Sequence, residues 1–406
     1  MKRTSLALTI AALTIVAVRA RAQDATSAAP DTSYVEYSDS PFSLPLGIGL
    51  RIPTYDRING LTLPWGPHVE TSNGRIDVDA LVRYRSHLGN WDPSVEGILR
   101  PGDANELRFF VGRGTFSNDV WIRGDLMNSL ASLFVGSDAR NYYRSDKANA
   151  RLTHALMNGG TVLTPFIGIN YERDWSTGDL IPTKSPWSVY GRTGRLRMRR
   201  GNPPIDRGHI ASFNLGSGLE LATGDVDSKF DVDLERSIAT QYDGSCVATP
   251  GGLFCTAPRD AFTQATFNGM VKFPTFGSQT FTFTGHGVWT AAAAVAPAQR
   301  FAYMGGAGTL ATVDLLALGG DHLLFLQGDY MIPLEKIQLP LVGNPFIALR
   351  YSAGNAGVGE FPALIQNLGV GVGASFVRVD FSFDPAHNRS PFSHRSAVTF
   401  GADLSF

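Results

Sequence analysis

Hydrophobic and polar residues alternate along most of this chain with a period of two. In AVTFGADLSF, the last ten residues, Val398, Phe400, Ala402, Leu404 and Phe406 point one way and Thr399, Gly401, Asp403 and Ser405 the other. Just upstream, Val377, Val379, Phe381 and Phe383 alternate with Arg378, Asp380 and Ser382. Ile76, Val78, Ala80, Val82 and Tyr84 likewise oppose Asp77, Asp79, Arg83 and Arg85. Successive side chains of a strand point to opposite faces, so the pattern predicts strands with one apolar and one polar face. A soluble sandwich would show the same alternation. Length separates the two: a membrane strand needs about 9–11 residues, an ordinary one about 5–6, and many segments here reach the longer figure.

Fifteen strands are read, near 55–65, 74–86, 89–100, 104–116, 143–157, 161–173, 208–222, 226–241, 261–274, 278–291, 322–333, 345–354, 367–375, 377–384 and 397–406. Single-chain outer-membrane barrels have even strand numbers. One strand is therefore missing, from either Leu46 to Ile52 or Ala296 to Tyr303, and the expected fold is an all-β transmembrane antiparallel barrel of about 16 strands. Pro101-Gly102-Asp103, Asn158-Gly159-Gly160 and Thr223-Gly224-Asp225 are tight-turn signals. Long connections run near 117–142, 174–207, 242–260 and 292–321. The first predicts a short helix, capped by Asp125, with Met127, Leu130, Ala131 and Phe134 on one packing face and Gly136 at its end. The second carries Arg192, Arg195, Arg197, Arg199, Arg200 and Arg207, which suit lipopolysaccharide phosphates or form a solvated basic loop.

The ends set the compartment. Lys2 and Arg3, an apolar core from Leu6 to Val18 and the small-residue site Ala20-Arg21-Ala22 read as a signal peptide over residues 1–22. A short polar segment, 23–43, and a barrel domain, 44–406, follow. Removing the signal takes away four basic residues and no acidic ones, leaving 31 basic against 36 acidic, so the formal charge moves from −1 to −5. That balance excludes nucleic acid as a partner. The two cysteines, Cys246 and Cys255, flank a loop tip with Pro250, Gly251 and Gly252, and in an oxidising compartment they read as one disulfide.

Candidate chemistry is sparse. Gly306 to Ala311 reads GAGTLA, a weak dinucleotide pattern without the strand, helix and βαβ context that phosphate binding requires. The eight histidines form no H-x-x-x-H pair, and no G-x-S-x-G elbow occurs. No cofactor or metal site is expected. An outer-membrane lipid hydrolase would need a serine and histidine at matching spacing, which Ser278 and His286 do not provide.

The stretch from Tyr303 to Asp321, YMGGAGTLATVDLLALGGD, resembles the lid-loop signature of the Omp85 superfamily, also called the bacterial surface antigen D15 family. Gly305-Gly306-Ala307-Gly308-Thr309-Leu310 matches its first part. Gly328-Asp329-Tyr330 and Pro333-Leu334 match the following strand, Ala353-Gly354-Asn355 the next strand end, and Gly369-Val370-Gly371 with Arg378-Val379-Asp380 the last hairpin. Toward the front, Tyr55-Asp56-Arg57-Ile58-Asn59-Gly60-Leu61, Asn128-Ser129-Leu130-Ala131 and the run from Asp138 to Tyr143 resemble members without periplasmic modules. The segment from Gln23 to Ser43 is too short for one such POTRA domain.

This resemblance implies an inward-folded lid over about 292–321, lumen-wall positions at Ser352, Arg378 and Asp380, and a C-terminal strand signature in Phe400, Leu404 and Phe406. It further implies outer-membrane lipids and the barrel-assembly machinery as partners, with a protein or lipid client. The role expected is transport or assembly at the outer membrane of a diderm bacterium, against a passive channel. One departure matters: the family's Arg-Gly-aromatic falls on Ala311-Thr312-Val313, and its acidic wall partner on Ser352. Loss of both charges together avoids an orphaned buried charge, which costs about 3–5 kcal/mol. The expectation is a lid held by apolar contacts of Leu310, Val313, Leu315 and Leu316.

Overall fold

A computed structural model describes residues 42–44, 48–177, 201–243, 246–249, 252–255, 261–291, 294–337, 344–374, 377–386 and 392–402. The signal segment, Arg192 to Arg200, and Leu404 and Phe406 lie outside these residues. One antiparallel sheet dominates, and its strands follow chain order: β1 (Ile48–Leu50, continued by Thr54–Asp56), β2 (Gly60–Glu70), β3 (Ile76–Arg85), β4 (Asn90–Gly102) and β5 (Asn105–Phe116). Then come β6 (Tyr143–His154, continued by Leu156–Asn158), β7 (Thr161–Ser176), β8 (Gly208–Thr223), β9 (Val226–Tyr242), β10 (Thr263–Pro274) and β11 (Thr280–Thr290). The sheet ends with β12 (His322–Pro333), β13 (Pro345–Gly357), β14 (Ile365–Ala374), β15 (Val377–Phe383) and β16 (Ser396–Ala402). Each strand pairs antiparallel with its successor. Phe42–Leu44 folds back on the start of β1.

The missing strand is the one offered from Leu46 to Ile52, and the predicted strand 55–65 is in fact a hairpin. Asp56 Oδ1 accepts from the backbone N–H of Ile58 at 2.9 Å and of Asn59 at 2.7 Å, and Gly60 closes the turn with φ +68°. An aspartate that bonds the backbone two and three residues on makes such a turn locally stable, which strand periodicity does not register. The segment from Ala296 to Tyr303 gives no barrel strand; Ala302–Met304 instead forms a small ribbon with Leu318–Gly320.

The sheet is inverted relative to a soluble sandwich. Along β14, Leu368, Val370 and Val372 are exposed while Asn367, Gly369, Gly371 and Gly373 are buried. Along β7, Ile167, Ile169 and Tyr171 are exposed while Glu172 and Asp174 are fully buried. Apolar residues outside and polar residues inside are what a closed strand array needs in lipid, where no water satisfies an open edge. Among the described residues no helix is long and apolar enough to span a membrane.

The connections sort by end. Those at 103–104, 159–160 and 224–225 are tight, whereas the four long ones (117–142, 177–207, 243–262 and 291–321) follow β5, β7, β9 and β11 and so share the opposite end. The first of these holds a short helix, α1 (Asp125–Leu130), prolonged by Ala131–Val135 and stopped at Gly136 with φ +74°. Its orientation corrects the predicted packing face. Asn128, Ser129 and Ser132 are the buried side chains, whereas Phe134 is 77% exposed. Asn128 donates to Asp138 Oδ1 at 3.0 Å and accepts from the Ala139 N–H at 2.9 Å, and Ser129 Oγ accepts from the Tyr55 N–H at 2.7 Å. The wall it leans on is polar, so hydrogen bonding decides which face turns inward. Asp125 does not cap it either; Gly124 holds the N-cap position without a side-chain bond.

Candidate functional site

The loop between β11 and β12 folds into the barrel as a lid. Gly305 (φ +122°), Gly306 (φ +83°) and Gly308 (φ +98°) adopt backbone that side chains disfavour, and a Cβ at Gly305 would overlap the Asp314 carbonyl oxygen. These glycines let the loop double back tightly enough to bury its tip. Leu310, Val313 and Leu316 are buried, and Leu310 and Val313 join Met304, Val288, Leu323, Phe325 and Ile365 in one apolar cluster. Leu315 is only half buried. Trp121 packs against this cluster from the 117–142 connection and stacks on His286 of β11, with ring centroids 4.1 Å apart.

Polar contacts fix the tip. Thr312 donates its N–H to Asn367 Oδ1 at 3.0 Å, and its Oγ1 accepts from Asn367 Nδ2 at 2.7 Å. Beyond it the lid bonds to the segment entering β16: Asp314 N–H to the Phe392 carbonyl at 2.9 Å, His394 N–H to the Thr312 carbonyl at 2.7 Å, and a bridge between Val313 and Ser393. His394 Nε2 also lies 2.9 Å from Asp314 Oδ1.

At its base the lid carries a buried charge that its tip lacks. Arg300, on the short turn Ala298–Arg300, reaches across to Glu235 of β9 through Nε at 2.7 Å and Nη2 at 2.9 Å, and it pairs with Glu172 of β7. Lys147 of β6 adds a second cation 3.4 Å from Glu172. Burial works to lower the Arg300 pKa, but Glu172 and Glu235 overcome it and hold the guanidinium well above its ordinary value. Next to it, Gln299 donates to Asp174 Oδ2 at 3.2 Å and the Asp206 carbonyl at 3.0 Å. The purely apolar hold expected for the lid is therefore only half of the arrangement. An arginine-to-carboxylate clamp sits on the opposite wall, eleven positions before Ala311.

Of the predicted wall residues, Ser352 is buried and its register partner on β14 is Asn367, so the amide beside it holds the lid. Arg378 and Asp380 meet elsewhere. Arg378 bonds Asp329 at 2.8 and 3.2 Å and Asp380 at 2.7 Å, while Arg350 bonds Asp329 at 2.6 Å. This network joins β12, β13 and β15 by passing over β14, whose inward positions there are Gly369 and Gly371. A Cβ at Gly371 would overlap Asp380 Oδ1 and lie 2.8 Å from Arg378 Nε. Gly371→Val is expected to break the network and lower the temperature at which the barrel loses its folded migration on a denaturing gel; an unchanged midpoint would show that β14 can yield.

Phe400 is 73% exposed on the outer face of β16. The hairpin Cys246–Thr249 and Gly252–Cys255 sets Cys246 directly opposite Cys255 in register. Arg207 pairs with Asp243 at 3.4 Å. Ser278 sits on the turn before β11 and His286 well inside that strand, so they do not meet as a catalytic pair. His68, Asp77 and Asp79 bring potential ligand atoms within 4.8 Å, but the Arg51 guanidinium already holds Asp79. Arg300, Glu172, Glu235 and Asn367 escaped the sequence reading. Alternation puts Glu172 inward, opposite Ile169 and Tyr171, but nothing local points it at a residue so far along the chain.

No family model matches this chain. No curated protein matches it either. Among solved structures it is similar to BamA from Haemophilus ducreyi lacking POTRA domains 1–3, at 12% identity, with 86% of this chain and 68% of that chain covered and a TM-score of 0.51. The chain has the β-barrel fold of that structure. Similarity extends at lower TM-scores to CdiB from Escherichia coli (0.47, 11% identity, 87% of this chain and 61% of that one) and CdiB from Acinetobacter baumannii (0.46, 11%, 86% and 57%). The chain thus spans about three fifths of the length of either CdiB chain. At such identities the likeness concerns the fold.

Proposed function

We propose that this chain is a gated outer-membrane barrel of the transport or assembly kind, working through its lid and terminal strands rather than as a passive pore. The observation that carries this is the joint between lid tip and β16, in which Thr312, Val313 and Asp314 bond to residues 392–394. A passive channel needs an open lumen, and the burial of Leu310 and Val313 with Trp121 packed against them supports a lid seated inside the barrel. β1 is split around Pro53, between Ile48–Leu50 and Thr54–Asp56. A split terminal strand makes fewer ladder bonds and opens at lower cost. Under this reading the partners are outer-membrane lipids, with lipopolysaccharide phosphates near the arginine-rich connection, the barrel-assembly machinery during biogenesis, and a protein or lipid client. A Cys246–Cys255 disulfide closing its hairpin belongs to the same proposal, and maleimide labelling only after reduction would support it.

The test is a cross-link between lid and terminal segment. Val313→Cys with Ser393→Cys, oxidised, is expected to hold the barrel silent in planar bilayers and to block client cross-linking, with reduction restoring both. Large steady currents from the parent protein, unaffected by the cross-link, would favour the passive channel instead. Purified protein that altered phospholipids or lipid A would point to an enzyme.

A further inference from the structure

Beneath the lid base lies a cavity of about 560 Å³, walled by β5 to β11 and roofed by Arg300 and Ala302. That volume is within the usual range for a small-molecule site. Its charges are engaged: Arg108 pairs with Glu106, and Asp231 is not free. Arg151 bonds Asp233 at 2.7 Å, Arg300 holds Glu235, and Lys147 holds Glu172. What remains unmatched is neutral: Asn149 and Asn170 face each other in register across β6 and β7, and Asn268 pairs in register with His286 across β10 and β11. His286 is 5% exposed, its Nδ1 lies 2.7 Å from Asn268 Oδ1, and its Nε2 has no partner. The Asn170 Oδ1 is buried and unpartnered as well. Gly168, between Phe166 and Asn170 on the same wall, keeps that side of the cavity low, and the Arg151 guanidinium carbon lies over the Phe166 ring, 3.9 Å from its centroid.

We propose that this cavity is a binding site for a neutral polyhydroxylated solute of mono- or disaccharide size. With Nδ1 donating to Asn268, the neutral imidazole offers Nε2 as an acceptor, and Asn170 Oδ1 is a second. Hydroxyl groups donate to both and accept from the Asn149 and Asn268 amides, so one ligand class fills every open position. A charged solute finds no unpaired counter-charge and must break an existing ion pair to gain one. Selectivity therefore comes from hydrogen bonding rather than net charge.

The experiment is calorimetric titration of the full chain in detergent with sucrose, and with citrate and spermidine as charged comparators. Saturable sucrose binding is expected, with a response of Trp121 fluorescence through its stack on His286. Asn170→Ala with His286→Phe, which keeps an aromatic ring against Trp121, is expected to weaken binding about tenfold or more, the loss of two hydrogen bonds. Heat-modifiable migration confirms that this variant folds; if it does not, Asn170→Ala alone carries the same test. No sucrose isotherm, equal binding of citrate or spermidine, or undiminished binding by the folded variant would each overturn the proposal. None of these readouts depends on conductance or client contact, so this site and the gated-barrel reading stand or fall separately.

Discussion

Arg300→Met should release the base of the lid and give the largest loss of stability of any single change in the lumen. The substitution leaves Glu172, fully buried, with only Lys147 nearby, and Glu235 with no guanidinium. Removing one partner of a buried ion pair costs about 3–5 kcal/mol because the other charge stays desolvated. The expected result is a drop in the temperature of heat-modifiable migration together with new conductance in planar bilayers. Arg300→Lys should fall between, since an ammonium cannot reproduce the two-pronged contact with Glu235. Combining Arg300→Met with Glu172→Gln and Glu235→Gln should recover most of the lost stability without closing the pore as well as the parent. If Arg300→Met alone melted and conducted like the parent, the clamp would be decoration rather than a fastener.

The second large effect is expected from Gly305→Val. At φ +122° a β-branched residue is strained by about 1–3 kcal/mol from backbone alone. The overlap of its Cβ with the Asp314 carbonyl oxygen adds to that, and because the obstacle is backbone it cannot swing aside. The tip should therefore leave its apolar seat, exposing residues 303–321 to protease in intact vesicles while the barrel keeps its folded migration. Gly359→Ala is the matched control. It too has positive φ, +76°, but nothing lies within 4 Å of its Cβ, so it should leave the lid protected. Equal protease resistance in Gly305→Val and the parent would mean that the tip does not need this turn.

Much of the barrel was legible in the sequence because strand periodicity is local. The alternation around Val377–Phe383 and Val398–Phe400 assigned those side chains to opposite faces, and the structure exposes the apolar set. The boundary that failed, 55–65, did so where Asp56 and Gly60 make a turn inside an apolar pattern. The helix face failed for a different reason. Spacing groups Met127, Leu130, Ala131 and Phe134 on one packing face, but Phe134 is exposed, and which face turns inward depends on the Asp138 and Tyr142 side chains waiting there. At the lid, the glycines of Gly305-Gly306-Ala307-Gly308 announced a sharp turn. The absence of arginine at Ala311 suggested an apolar hold, while the clamp lay at a position that carries no motif.

The sequence by itself determined the strands, their two faces, the length that suits a bilayer and the glycines that let one loop double back. These follow from backbone geometry within a few residues. Only the tertiary structure decided which groups meet across the lumen: Arg300 with Glu172, 128 positions away, and with Glu235, 65 away, and Thr312 with Asn367, 55 away. A polar residue on an inner face must find a partner because it is cut off from water, but alternation says only that it points inward. Which partner it meets depends on how the wall curves and how deep the lid descends, and those follow from the packing of the whole barrel.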